Sequence, residues 1–385
     1  MRRAVPSAWI VAFCLAVAPH ARAADAPPDP ATRAAMREIF AALSEILPIC
    51  LSTQRFEAPA QREAVGAGLA KIAANADALA KHADATNADV ASRGRVLAED
   101  ARHAEARFES GRYVDARFVA LHLTDSCVGC HSRLPADKDA PFAAKLIDDA
   151  KLKDLSSAER ARLALATRQF DKALDLYESV LTAPPAPSGE AVRTPDLTEY
   201  LIVAVRVKRD PERAAKLLEK LEKRADTPPD IRREIGPWIV TLRAEGKAAS
   251  EPPSLARARA LVEAGKKVRD YPYSRAGLID DLLASSVLHQ LIENPALSVQ
   301  ERAEAYYLLG VTDAQVRSSP WLSDAAWYLV SAIRTAPHSA TAQHAFDAYE
   351  DMTILEWSGS SGTNVPDDVA KELDRLRALA APARS

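Results

Sequence analysis

Met36, Ile39, Leu43, Ile46 and Cys50 recur at steps of 3, 4, 3 and 4, a spacing that brings residues to one face only in an α-helix. The same rhythm returns three times before residue 131. It reappears in Val65, Leu69, Ile72, Ala76 and Leu79; in Val90, Gly94, Leu97, Ala101, Ala104 and Phe108; and in Tyr113, Ala116, Ala120, Leu123, Cys127 and Cys130. A strict seam of this kind packs each helix lengthwise against partners. The spacing predicts helices over 31–56, 60–82, 88–110 and 112–131. Pro48 should kink or split the first, and Glu57-Ala58-Pro59 should end it. Thr86 or Asn87 can cap the third, and Gly111 follows its end. Four such segments with short connections predict an antiparallel four-helix bundle. Glycine is scarce, at 13 residues, and alanine abundant, which also favours helix over sheet.

The fourth seam runs into Cys127-Val128-Gly129-Cys130-His131. C-x-x-C-H is the attachment signature of c-type haem. Two thiols can add to the two vinyl groups of one haem, and a step of three residues is about one helical turn, so both sulfurs reach one porphyrin edge. His131 follows directly and supplies an imidazole as proximal iron ligand. Random order of this composition would produce the pattern roughly once in a thousand chains. A thioredoxin-like redox pair would need a βαβ setting, and these surroundings read as helical. A structural zinc site needs four ligands, and no second cysteine pair exists.

The N-terminus carries the matching address. Arg2 and Arg3 form a basic region, Ala8 to Ala18 an apolar run too short to span a bilayer, and Ala21-Arg22-Ala23 an A-x-A cleavage site. Residues 1–23 are therefore expected to be a signal peptide, with the mature chain in a periplasm, where haem c is attached. Phe13 before Cys14 argues against a lipoprotein. Loss of Arg2, Arg3 and Arg22 moves the formal net charge from −3 to −6. A mildly acidic chain without a basic stripe speaks against nucleic-acid binding, and no later stretch reads as a membrane span. Cys14 leaves with the signal and two of the other cysteines belong to the motif, so disulfides do not hold this fold. Cys50 reads as a buried small hydrophobe, or as an unpaired thiol open to an intermolecular disulfide. His82, His103 and His122 read as solvated or edge residues.

In an antiparallel bundle the end of the fourth helix lies beside the start of the first, which makes Met36 the candidate sixth, distal ligand. A bundle with C-x-x-C-H near the end of its last helix resembles the class II c-type cytochromes, the cytochrome c′ group and its six-coordinate relatives. The resemblance covers about residues 31–135. It implies Cys127 and Cys130 as thioether residues, His131 as proximal ligand and Met36 as the match to a distal methionine, with one covalent haem c. It also carries the option of a homodimer packed through bundle faces. The chain departs from the group after the motif, where Arg133 is followed by Leu134-Pro135 and the helix should stop early. If Met36 only packs, the iron is five-coordinate and open to small gases.

Ser132 to Pro141 is a polar, proline-containing stretch, and residues 136–155 are read as a linker between a haem domain (24–135) and a second domain (156–385). Ala305 to Gly310 and Asp324 to Ile333, ending at Pro337, resemble a tetratricopeptide repeat, with an enlarged turn at Ser318 to Trp321. Phe170, Ala173, Tyr177 and Pro185 repeat the pattern, and the step from Ala173 to Pro185 equals that from Ala325 to Pro337, twelve residues in each. The predicted fold is all-α: a four-helix haem-binding bundle followed by a tetratricopeptide-like α-solenoid, capped by a helix near 367–380. Tyr271, Tyr273, Tyr306, Tyr307, Trp321, Trp327 and Tyr328 are either repeat-core residues or a partner-binding face. No Ser/His/Asp set, Gly-rich phosphate loop or metal-ligand cluster is recognisable in this second half, which therefore offers no second active site, and the chain is read as no enzyme. It reads as a monohaem c-type cytochrome that exchanges one electron with a redox or signalling protein docked by the repeats. A gas-binding sensor and a haem-stabilised interaction scaffold are the alternatives.

Overall fold

A computed structural model describes residues 30–50, 53–83, 88–131, 155–166, 169–184, 194–248, 251–271, 274–294, 296–316, 325–360 and 362–382. The expected signal peptide (1–23) and all but Leu155 of the 132–155 stretch lie outside the described residues. The chain is all-α, and among the described residues the only sheet is a two-residue antiparallel ladder. No helix among them is long and apolar enough to cross a membrane.

Helix α1 spans Pro30–Cys50 and a short α2 spans Thr53–Glu57. Pro48 lies inside α1, which continues two residues beyond it; residues 51 and 52 of the expected 31–56 helix lie outside the described residues. A 3₁₀ turn, Pro59–Gln61, leads into α3 (Arg62–Ala83), followed by α4 (Ala88–Glu109) and α5 (Tyr113–His131). Gly111 takes the left-handed conformation (φ 76°). The Arg112 amide then reaches back to the Arg107 carbonyl (2.9 Å), so α4 closes and the chain reverses. Direction alternates along the set. Lys71 on α3 pairs with Glu38 on α1 (2.7 Å), and Arg102 on α4 with Asp77 on α3 (2.6 Å). Arg117 near the start of α5 donates from Nε to the Cys50 carbonyl at the end of α1 (2.5 Å).

The four helical stripes meet in one core. Ile39, Leu43, Ile46 and Cys50 of α1, Val65 through Leu79 of the α3 stripe, Leu97 through Phe108 of the α4 stripe, and Ala116, Ala120 and Leu123 of α5 are buried together, with Met36 and Tyr113 packed at the margin. Phe108 meets Phe56 and Tyr113 edge-on (ring centroids 5.1 and 5.2 Å), and Arg62 lies over the Tyr113 ring. These rings fill the end of the core where α1 and α4 finish and α5 begins.

The rest of the chain continues as α6 (Ser157–Ala166), α7 (Phe170–Thr182), α8 (Thr194–Leu201), α9 (Pro211–Lys223), α10 (Pro229–Ala248), α11 (Leu255–Val268), α12 (Leu278–Ile292), α13 (Val299–Val316), α14 (Ala325–Thr335), α15 (Ala340–Glu356) and α16 (Asp367–Ala380). Neighbours in sequence pack as pairs: α6 on α7, α9 on α10, α11 on α12, α13 on α14, α15 on α16. In the α13–α14 pair the helices approach at Gly310, where a Cβ would stand 2.6 Å from Leu329 Cγ and 3.3 Å from the Ala325 carbonyl. Only a residue without a side chain admits that spacing. The ladder β1 (Ser358–Gly359) with β2 (Gly362–Thr363) occupies what the sequence presents as a Gly/Ser loop. Leu373 and Leu376 of α16 close the last core cluster against α14 and α15.

Two elements of this half are buried along most of their length. Helix α8 passes into a π-helical turn, Ile202–Val207, and every residue from Leu197 to Val207 is buried; so is every residue of α12 from Leu278 to Leu288. These segments pack on each other and are enclosed by the remaining helices. Tyr328 is buried, Tyr306, Tyr307 and Trp327 pack against the same cores, and Tyr271 is exposed; Tyr273 and Trp321 lie outside the described residues.

The two halves are joined by more than the chain. Helix α5 packs on α6. Phe40 and Leu47 of α1 are buried in the core of the second half, while Leu121 of α5 touches both cores.

Candidate functional site

The C-x-x-C-H motif forms the last turn and a half of α5, whose backbone is helical through His131. The side chains of Cys127, Cys130 and His131 lie outside the described residues. The register of the helix nonetheless puts positions 127 and 130 on the face of Ala116, Ala120 and Leu123, which is the buried face.

Antiparallel order sets what stands opposite. Since Arg117 meets the end of α1, the other end of α5 runs toward the start of α1, where Met36 is half-buried against the shared core. The core changes along its length. The end with Phe56, Phe108 and Tyr113 is filled by aromatic rings. The opposite end includes Ala35 and Met36 of α1, Ala76, Leu79 and Ala80 of α3, and Ala91, Gly94 and Ala98 of α4. The donors fit a covalently held haem: two thiols one turn apart, an adjoining imidazole, and a thioether on the facing helix. His103 is exposed and 3.9 Å from Glu99, one turn back on its own helix. The side chains of His82 and His122 lie outside the described residues.

Cys50 is buried without a disulfide, and burial pushes its thiol up to about 12, the Arg117 guanidinium offsetting only part of the cost. Such a thiol is inert at neutral pH.

The second half holds buried polar networks that no motif announced. Glu199 on α8 accepts a hydrogen bond from Tyr177 Oη on α7 (2.5 Å) and a forked pair from Arg162 on α6 (3.0 and 2.8 Å). Burial, then the Glu199 charge, hold the Tyr177 phenol well above its ordinary range. Arg206 of the π turn pairs with Asp313 of α13 (3.4 Å), both buried. Asp281 at the start of α12 is buried against Arg269, and desolvation outweighs that partner and pushes its carboxyl to about 6. A groove of about 610 Å³ between α7 and α9 is lined by Asp175, Glu178, Asp210, Arg213 and Lys216. Arg213 there is tied to Asp175 (2.5 Å) and Glu178 (2.6 Å), so the charges satisfy one another. These groups staple helices together. Among the described residues no group of three or more His, Cys, Asp or Glu side chains is placed to hold a metal ion, an arrangement that a thioether-bound haem does not need. Helix pairing was the only sequence signal pointing to such networks, because a charge inside an apolar helix reads the same whether it is paired or solvated.

No protein-family model, curated protein or solved structure matches the chain.

Proposed function

We propose that the chain is a periplasmic monohaem c-type cytochrome that transfers one electron to or from a protein partner. In this reading α1, α3, α4 and α5 form a four-helix bundle similar to the class II c-type cytochromes, and α6 to α16 form a tetratricopeptide-like region. What supports it is the helical backbone of the C-x-x-C-H turn, in register with the buried Ala116, Ala120 and Leu123 on a helix antiparallel to α1, which carries the half-buried Met36. Cys127 and Cys130 would hold the haem by thioether bonds, His131 would bind the iron as proximal ligand, and Met36 would complete the sixth position. The group would supply a one-electron couple, whose potential a thioether ligand raises. The repeat region would dock the redox partner.

The test is the optical spectrum of the purified full chain, oxidised and reduced, with and without CO. Sharp reduced α and β bands that ignore CO are expected, and Met36→Ala should abolish them. A reduced high-spin spectrum that shifts with CO would replace electron transfer by a second reading, gas binding. That reading draws on the packing of α5 on α6, through which a change at an open iron would reach the repeats. Absence of covalent haem would refute both.

A further inference from the structure

Alternate helices near the end of the chain lie side by side: α11 touches α13, and α13 touches α15. Arg259 on α11 makes a forked ion pair with Glu304 on α13 (2.5 and 2.6 Å). One turn further along α13, the Tyr307 ring stands 6.0 Å from the His344 ring of α15. Burial, then the charges of Asp347 on α15 and Glu263 on α11, hold the Tyr307 phenol above its ordinary range. The three helices therefore meet at a rung where a half-buried phenol stands between two carboxylates. The outward strip of α15 runs on from that rung. His344, Asp347, Asp351 and Ile354 recur at steps of 3, 4 and 3, with Leu355 beside Ile354, and all five are exposed; Ala342, Ala345, Phe346 and Thr353 on the opposite side are buried. Ile354, Leu355 and Trp357 are 40, 53 and 40% exposed, so the strip is acidic at one end and apolar at the other. Its acids are not neutralised from within. Glu304 is taken up by Arg259 and Glu350 by Arg377. Among the described residues no cation pairs with Asp347 or Asp351, and Glu263 has only the solvent-exposed Lys266 at 3.9 Å.

We propose that this face, from Glu263 across Tyr307 to Asp347, Asp351 and Leu355, docks an extended segment of the partner protein that carries lysine or arginine and, about four residues away, a large apolar side chain. The inference rests on the reading of the repeat region as the docking half and needs nothing of the haem. Charge complementarity selects the cation. A lysine or arginine laid on Tyr307 meets a carboxylate on either side and the negative face of the ring between them. Helix length selects the spacing. The eight-residue step from Asp347 to Leu355 covers about 12 Å, the reach of about four extended residues. The apolar end adds burial, which exposed charges alone supply poorly. The same carboxylates repel an acidic partner.

The experiment measures, by fluorescence anisotropy at low and high salt, binding of the full-length chain to a labelled peptide with two arginines about four residues from a Leu-Phe pair. A second peptide carries glutamates in place of the arginines. Wild type should bind the basic peptide, more weakly at high salt, and not the acidic one. Joint Glu263→Gln, Asp347→Asn and Asp351→Asn should weaken binding roughly tenfold, each exposed pair contributing a factor of about two. Joint Glu63→Gln, Glu109→Gln and Asp115→Asn changes the net charge equally on exposed sites of the first half and should leave binding unchanged. Tyr307→Phe should bind as wild type, since it keeps the ring, and Leu355→Ser should bind several-fold more weakly. Equal loss in the two triple variants would overturn the proposal, because it would mean general attraction to an acidic chain. So would a wild type that binds neither peptide, or a dimer in sedimentation that Leu355→Ser dissociates, which would put a second copy on the strip. A chain that binds the basic peptide as expected but carries no covalent haem would refute the cytochrome reading and leave this inference standing.

Discussion

Asp281 offers a direct measurement of how burial and pairing compete in this fold. Its carboxyl is enclosed at the start of α12, beside Asp280 and against Arg269. Loss of hydration favours the neutral form, and the guanidinium favours the charged one; burial wins, and the group titrates near 6 instead of its ordinary 3.8. A folded-state value above the unfolded one means that the native state binds the proton more tightly. The group's stabilising contribution is then present below about pH 4 and is lost as pH rises through 6. Two units at about 1.4 kcal/mol each put the loss on the order of 3 kcal/mol. Asp281→Asn keeps the shape and removes the titration. Urea unfolding of wild type and variant across pH 3.5 to 7.5 should show the stability difference moving in favour of the variant by that amount as pH rises, most steeply between about 4 and 6. The attraction to Arg269 acts on the ionised carboxylate and is already contained in this titration. A difference that is flat with pH, or that moves in favour of the wild type, would show that the ion pair outweighs desolvation and would refute the reasoning.

Three further outcomes are expected. The Cys50 thiol should resist iodoacetamide at pH 8 in the folded chain and react at once in denaturant, since a thiol pushed to about 12 carries almost no thiolate there; rapid native alkylation would contradict the burial. Phe108→Ala should cost about 3–5 kcal/mol in urea unfolding, because it removes both edge contacts in the aromatic end of the first core. Gly310→Ala should cost roughly 1–3 kcal/mol by forcing α13 from α14 at Leu329, and an unchanged midpoint would mean that the pair can open without penalty.

The first core was legible in the sequence because each of its helices is apolar on one face only. Ile39, Leu43 and Ile46, or Val65, Leu69 and Ile72, declare their common side by spacing alone, and each is buried there. Phe40 and Leu47 lie off that seam, and their burial depends on a second core some hundred residues on, which no local pattern announces. Helix α12 was opaque for a related reason. Buried on every side, it has no polar face to give it a rhythm, and Asp280 and Asp281 at its start look like a solvated first turn. The π turn from Ile202 to Val207 reads as a plain apolar run, since one extra residue per turn leaves no mark in composition. Of the candidate site, the motif and its helical face follow from spacing, whereas Arg117 became visible as the tie between α5 and α1 only in three dimensions.

The double burial of α1 bears on how this protein can be cut. A fragment stopped at residue 135 would retain all four helices and their common seam, yet it would present Phe40 and Leu47 bare to water on a helix whose other side is fully engaged. Such a piece would be prone to self-association through that uncovered strip. The complementary fragment would carry a hollow lined by its own leucines. Proteolysis within 132–154 is a different operation from truncation: it severs the covalent path and leaves the two cores interlocked through α1 and α5, so the nicked halves should migrate together until denatured.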